Sequence, residues 1–258
     1  MDSYLDIGDK SNDVLVLIHG LGSKKESWKY QFELAQHYRV IAPDLRGHGD
    51  SINNEDISIL NFANDIITLL QTLEIDQAHF CGLSLGGIVA QEILHLQPSI
   101  VRSLILSNTT SYIPPILGWM AVDERRRKLD RLTDDEYERH VLSMCLNKPA
   151  EAFVLDEIRS FYFKINRETY IETAEAAVGI NYTSTLMLSP KPILIIGSIN
   201  DRITYYVNAL TIKCSAPFSQ LETFCASGHI PNVEEPQAYN SIILKFIQGI
   251  PQKQRITS

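Results

Sequence analysis

The 258-residue sequence has no pair of cysteines in a C-x-x-C arrangement. Its four cysteines, Cys81, Cys145, Cys214 and Cys225, are scattered singly, so neither a zinc site nor a dithiol redox motif is indicated. Cys81 and Cys225 fall in apolar, strand-like runs, where a cysteine serves as a small hydrophobe. Nor is there a long hydrophobic run. The longest candidates, Val14–Ile18 and Ile193–Ile196, are far short of the roughly 18 apolar residues needed to cross a bilayer. The polar, acidic opening MDSYLDIGDKSND has no basic segment leading into an apolar stretch, so no secretory signal is expected. A reducing, cytoplasmic setting and no membrane association follow as expectations. Positive charge is also scarce. Lys and Arg number 23 against 31 Asp and Glu, a net charge of −8, which argues against nucleic acid as a partner. No internal repeat or low-complexity tract occurs, and no His/Asp/Glu cluster has metal-ligand spacing, so neither metal nor cofactor is expected.

What the chain does have is alternation. Short apolar runs at 14–18, 39–43, 78–82, 101–107, 191–197 and 220–226 are mostly continuous rather than period-two, as expected of strands buried on both faces. The last, QLETFCA, alternates more and reads as a strand near an edge. Helical patterns lie between the runs. Residues 27–38 place Trp28, Phe32 and Ala35 on one face. Residues 57–74 carry the stripe Phe62, Ile66, Leu69, Leu70 and Leu73. Residues 85–97 group Val89, Ile93 and Leu96 before Pro98 ends the helix, and 239–249 group Ile242, Ile243, Phe246 and Ile247. This order predicts an α/β fold, a mostly parallel, doubly wound sheet with helices on both faces.

The alternation stops between Tyr112 and Ser189. Pro114 and Pro115 open this region, Pro190 and Pro192 close it, and its content is helical. It reads as a helical cap insertion at 112–189 in a core made of 1–111 and 190–258.

Three motifs carry chemistry. His19-Gly20-Leu21-Gly22 follows VLVLI, where glycines allow a sharp turn with exposed backbone N–H groups. Gly82-Leu83-Ser84-Leu85-Gly86 matches G-x-S-x-G. Placed between strand and helix, this pattern holds a serine hydroxyl at the tip of a turn too tight for side chains two residues either side. The Leu85 N–H then sits at a helix N-terminus, where it can face an oxyanion. Ser227-Gly228-His229 follows the sixth apolar run, so His229 can act as general base. A histidine in that role needs a carboxylate to fix its tautomer, and Asp201, just past KPILIIG, is the candidate. Asn200 beside it cannot stabilise an imidazolium, and neither can Asn108 at the end of VRSLILS. The chain order Ser84, Asp201, His229 fits the elbow pattern, with all three at C-terminal strand ends.

These motifs, with Asp44-Leu45-Arg46-Gly47-His48-Gly49-Asp50-Ser51 and Glu234-Glu235-Pro236, resemble the α/β-hydrolase superfamily in its capped branch, over about residues 14 to 248. Within it, the chain resembles enol-lactonase-like and carboxylesterase-like members. One departure is the N-terminal edge, where only SYLDIG precedes the first buried strand, leaving room for one short strand. The resemblance implies an oxyanion hole from the backbone N–H groups of Leu21 and Leu85, no cofactor, and a small-molecule substrate handled by a monomer or homodimer. It implies hydrolysis of a small ester or lactone. The same triad on a diketone, a thioester or an elimination, or a ligand receptor with little turnover, are the other readings.

The remaining histidines read as structural. His19 organises the loop beneath the oxyanion hole, His48 belongs to the glycine turn, and His37, His79, His95 and His140 lack motif context. Arg125-Arg126-Arg127-Lys128 is flanked by Asp123, Glu124, Asp130, Asp134 and Asp135 and reads as a solvated helix face, with an anionic substrate as the other reading. The aromatics Trp119, Tyr137, Phe153, Phe161, Tyr162, Phe163 and Tyr170 divide between cap core and pocket lining.

Overall fold

A computed structural model describes residues 1–148, 152–162 and 165–250. In chain order it contains β1 (Tyr4–Ile7), β2 (Val14–Ile18), a 3₁₀ helix (Lys25–Gln36), β3 (Arg39–Pro43), α1 (Ile59–Thr72), β4 (Ala78–Leu83), α2 (Leu85–Leu96) and β5 (Val101–Ser107). Then come α3 (Pro115–Arg131), α4 (Asp134–Cys145), α5 (Ala152–Phe161), α6 (Arg167–Ala176) and α7 (Thr183–Leu188). The chain finishes with β6 (Ile193–Ser198), α8 (Tyr206–Ser215), β7 (Gln220–Phe224), α9 (Pro231–Glu234) and α10 (Pro236–Gln248).

The seven strands form one sheet in the order β1-β3-β2-β4-β5-β6-β7. Every pairing is parallel except β1 on β3, which is antiparallel. The single short N-terminal strand and the edge position of β7 therefore agree with the sequence. Continuous apolar runs are explained by burial on both faces. Val14, Val16 and Ile18 of β2 pack with Phe62, Ile66 and Val89 on one side. Leu15 and Leu17 pack with Trp28, Tyr239 and Ile243 on the other. Successive residues of one strand thus feed two separate cores.

Several expectations shift. The first helical segment winds as 3₁₀ turns and fully buries Ser27, Trp28, Gln31 and Leu34, while Phe32 and Ala35 pack against the same core only partly buried. Three residues per turn put every third side chain inward. The next helix begins at Ile59 because Ser58 caps it, accepting from the Asn61 N–H at 3.1 Å. Leu96 is 39% exposed, because it lies in the last turn of α2, beyond the contact with the sheet. β7 ends at Phe224, where the chain leaves the edge, so Cys225 is exposed rather than part of a strand core. The helix α8 carries no strong apolar stripe; it buries only Ala209, Ile212 and Ser215.

Between β5 and β6 the described residues are helical. Thr133 and Glu136 form a reciprocal capping box at the start of α4, and Asn166 caps α6. Helix α7 packs on α2 and α8, with Leu186 in the core beneath them. Phe163 lies outside the described residues, as do residues 251–258 and the side chain of Phe153. Among the described residues, no helix is long and apolar enough to cross a membrane.

Candidate active site

Ser84 follows β4 directly and precedes the first residue of α2. Its backbone is at φ 54°, ψ −117°, a region non-glycine residues rarely occupy. Hydrogen bonds on both sides hold it there. The Ser84 N–H donates to the Ser107 carbonyl at 3.0 Å. The Ser84 carbonyl accepts from the Gly87 N–H at 3.0 Å and the Thr109 hydroxyl at 2.6 Å. The flanking glycines have the reason the sequence suggested. A Cβ on Gly82 would strike the Gly86 carbonyl, and one on Gly86 would strike that of Ile18. Around Ser84 the chain is buried, but Ser84 itself is partly exposed. The Leu85 N–H heads α2, where first-turn N–H groups have no acceptor within the helix.

The Asp201 carboxylate meets His229 Nδ1 at 3.0 Å, and Asp201 is 4% exposed. It also accepts from the Ile203 N–H at 2.8 Å, the Thr204 N–H at 3.0 Å and the Thr204 hydroxyl at 2.5 Å. Burial pushes its pKa up, but the neighbouring His229 charge and these donors outweigh that and hold it below the usual aspartate value. Because the carboxylate only accepts, Nδ1 of His229 carries the proton toward it and Nε2 is left as the basic nitrogen. Asn200 turns away and donates to the Cys225 carbonyl at 2.8 Å.

Asn108 has a function that the sequence did not disclose. It sits at the end of β5 with φ 39°, and its Nδ2 donates to the carbonyls of Gly228 at 2.9 Å and His229 at 3.0 Å. An amide fits where a carboxylate would face two carbonyl oxygens. The histidine loop is held from the insertion side as well. The His229 N–H donates to the Cys145 carbonyl at 2.6 Å. Glu234 accepts from the N–H groups of Gly228 at 2.6 Å and Asn147 at 2.8 Å, and Asn147 Nδ2 donates to the Ala226 carbonyl at 2.8 Å.

Beneath the other wall, the Leu45 N–H donates to His19 Nε2 at 3.1 Å. Nδ1 of His19 therefore carries the proton and donates to the Gly20 carbonyl at 2.8 Å. Burial lowers the His19 pKa, which keeps the ring neutral. It thus fixes the loop bearing Leu21. His48 is a buried ring against His19, its pKa lowered to about 3 by burial. Asp44 closes the glycine turn, accepting from the Lys25 N–H and the Ser3 hydroxyl, both at 2.7 Å.

Ser84 and His229 line one cavity of about 390 Å³, together with Leu21. No hydrogen bond joins Ser84 to His229 among the described residues; they meet as walls of that space. From the insertion, Tyr137, Tyr162 and Tyr170 line it, whereas Phe161 is buried in core and Trp119 is exposed. Arg125, Lys128 and His140, read from sequence as surface or structural residues, also line it. Lys128 Nζ lies 3.1 Å from His140 Nε2, and burial followed by that ammonium charge lowers the His140 pKa. Among the described residues no cluster of three or more His, Cys, Asp or Glu could hold a metal ion.

The model of the alpha/beta hydrolase family matches residues 15–242. The 3-oxoadipate enol-lactonase 2 of Acinetobacter baylyi is 28% identical over 245 residues, spanning 93% of this chain and 91% of its own. A hydrolase of Pseudomonas aeruginosa has a TM-score of 0.85 at 29% identity, covering 95% of this chain and 93% of that one. The enol-lactonase of Burkholderia xenovorans shares the fold with a TM-score of 0.85 at 23% identity, covering 95% and 96%. The match runs from β2 into α10 and includes the elbow, the Asp201 loop and the histidine loop, so this chain belongs to the alpha/beta hydrolase family and is a hydrolase.

Proposed function

We propose that the chain hydrolyses a small carboxylic ester or lactone through an acyl-enzyme on Ser84. The observation that carries this reading is the buried Asp201–His229 pair, whose histidine shares a cavity with a serine at a strained turn. A relative that cleaves a lactone, similar over nearly the whole chain, supports the choice of bond.

His229 Nε2 takes the proton of the Ser84 hydroxyl as the oxygen attacks the carbonyl carbon. The carbonyl π electrons move onto oxygen, and the Leu21 and Leu85 N–H groups stabilise that charge. The intermediate collapses, the alkoxide leaves with the proton from His229, and Ser84 holds the acyl group. For a lactone the alkoxide remains tethered to the acyl chain. Water then gives a proton to His229, attacks the acyl carbon and releases the acid and Ser84. Asp201 keeps the ring in the required tautomer and offsets the imidazolium charge. Residues 112–189 act as a cap over the core, and their inward side chains select the substrate.

The test is labelling with a fluorophosphonate, with turnover measured on a panel of p-nitrophenyl esters, lactones and thioesters. Wild type labels and turns over, while Ser84→Ala does neither, losing about 10⁴-fold or more in kcat. A labelled or active Ser84→Ala protein would refute the assignment.

A further inference from the structure

The basic run 125–128 divides by direction. Arg126 pairs with Glu175 at 2.5 Å, Arg127 with Asp123 at 2.6 Å and Lys128 with Glu124 at 2.7 Å. Arg126 and Arg127 are more than half exposed, as solvated residues should be. Arg125 differs. It is only partly exposed, it donates to the Ala121 carbonyl within its own helix at 3.3 Å, and among the described residues it has no carboxylate partner. Its place on α3 explains why. Gly118, Val122 and Leu129 are the buried positions, and Arg125 completes that stripe at helical spacing. The guanidinium is therefore carried to the inner face and stands on the wall of the cavity that holds Ser84 and His229.

A second cation, on an exposed residue, also lines the cavity. Arg202, next to Asp201, lines the same cavity and donates to the Leu146 carbonyl at 2.6 Å, with no carboxylate partner among the described residues. Lys128 and Glu124 are on the wall too, but they neutralise each other. A chain of net charge −8 thus presents two uncompensated positive groups to one partly enclosed space. Low-dielectric walls focus such a field and select for an anionic ligand.

We infer that the substrate of the proposed Ser84 chemistry carries a carboxylate away from the scissile bond, and that Arg125 is the specificity-determining residue that holds it. A carboxylate matches the planar fork of a guanidinium, and its single charge suits a site where the nearby ammonium is already paired. Arg202 supplies the supporting field from the core side. This inference deepens the ester or lactone reading and rests on it for the reacting bond.

The experiment compares the mono-p-nitrophenyl ester of a straight-chain dicarboxylic acid with the p-nitrophenyl ester of the monocarboxylic acid of equal length. Wild type prefers the carboxylated ester in kcat/KM, and the preference weakens as salt is added. Arg125→Gln lowers the ratio of the two kcat/KM values by about ten- to a hundredfold, mainly through KM for the carboxylated ester. Arg125→Lys keeps part of the preference, because charge survives while the fork is lost. Arg127→Gln, on the outer face, leaves the ratio as in wild type. An equal effect of Arg125→Gln on both esters, or a wild type without preference for the carboxylated one, overturns the inference. A second readout separates it from the nucleophile assignment. The N-propyl monoamide of the same diacid is titrated calorimetrically into Ser84→Ala protein with and without Arg125→Gln. Weaker binding without Arg125 supports the anion site whatever Ser84 does. Equal binding refutes it even where Ser84 proves to be the nucleophile.

Discussion

Replacing Asn108 tests whether the histidine loop depends on a residue outside the proposed triad. Its amide donates to two buried carbonyls, those of Gly228 and His229. Removing the amide leaves both oxygens without this donor, at about 1–3 kcal/mol each. The backbone adds a second cost. Asn108 has φ 39°, which asparagine tolerates and alanine resists by about 1 kcal/mol. Allowing for some relaxation, Asn108→Ala is expected to lose about 3–5 kcal/mol, a large share of the 5–15 kcal/mol typical of a domain. Asn108→Gly removes the same donors without the backbone strain and should be more stable than Asn108→Ala by about 1 kcal/mol. Urea unfolding followed by far-ultraviolet circular dichroism measures both. A kinetic readout separates positioning from general stability. At a temperature where the Gly variant is fully folded, kcat on a p-nitrophenyl ester should fall while KM changes little, because His229 moves but the side chains of α3 and α4 that line the pocket do not. The reasoning is refuted by an Asn108→Ala protein within about 0.5 kcal/mol of wild type with unchanged kcat.

On the proposed mechanism, Asp201→Asn removes the carboxylate that fixes the His229 tautomer and should lower kcat by about 10³–10⁴-fold. Unchanged turnover by stopped-flow or steady-state assay would remove Asp201 from the mechanism. Asp44 is pushed up by burial, but its hydrogen bonds from Lys25, side chain and backbone, and from Ser3 bring it below the ordinary 3.8, so its ionisation stabilises the fold. The stability difference between wild type and Asp44→Asn should therefore be fully present above about pH 4 and shrink as the pH falls through the lower folded-state value. A gap that widens on acidification would show the sign to be wrong.

What was legible in the sequence follows from which residues have no alternative. Unbroken apolar runs such as VLVLI must be covered on both faces, and the two cores flanking β2 are the consequence. Gly82 and Gly86 are imposed by backbone approach, so the turn that presents Ser84 could be read directly. The less legible parts depend on partners distant in the chain. Asn108 could be seen as the absence of an acid, but its grip on Gly228 and His229 spans 120 and 121 positions of sequence. Helix α8 buries too few apolar residues to give a strong periodic signal, because its inward face is only Ala209, Ile212 and Ser215. Arg125 is the instructive miss. Its neighbours are charged, so the run reads first as one solvated face, with an anionic substrate as the other reading. Had the stripe of Gly118, Val122 and Leu129 been extended, Arg125 would have fallen on the inner side and Arg126 and Arg127 on the outer.

The two sides of the insertion meet the site in different ways, and this constrains how specificity can vary. Helix α4 lines the cavity with Tyr137, His140, Val141 and Met144, and its end also meets the histidine loop through backbone. Its Cys145 carbonyl accepts from the His229 N–H, and Asn147 just beyond it shares Glu234 with Gly228. A displacement of that helix end carries the histidine loop with it. Helix α3 reaches the cavity through the side chains of Ala121, Glu124, Arg125 and Lys128, and among the described residues it makes no hydrogen bond to the histidine loop. Its substitutions can change charge and shape at the wall while the Asp201–His229 pair keeps its 3.0 Å geometry. On the proposed mechanism, α3 bears on substrate choice alone, whereas α4 bears both on substrate choice and on the placing of His229. A residue such as Arg125 can then be exchanged without touching a hydrogen bond of the histidine loop, whereas the end of α4 carries one of them, from the His229 N–H to the Cys145 carbonyl.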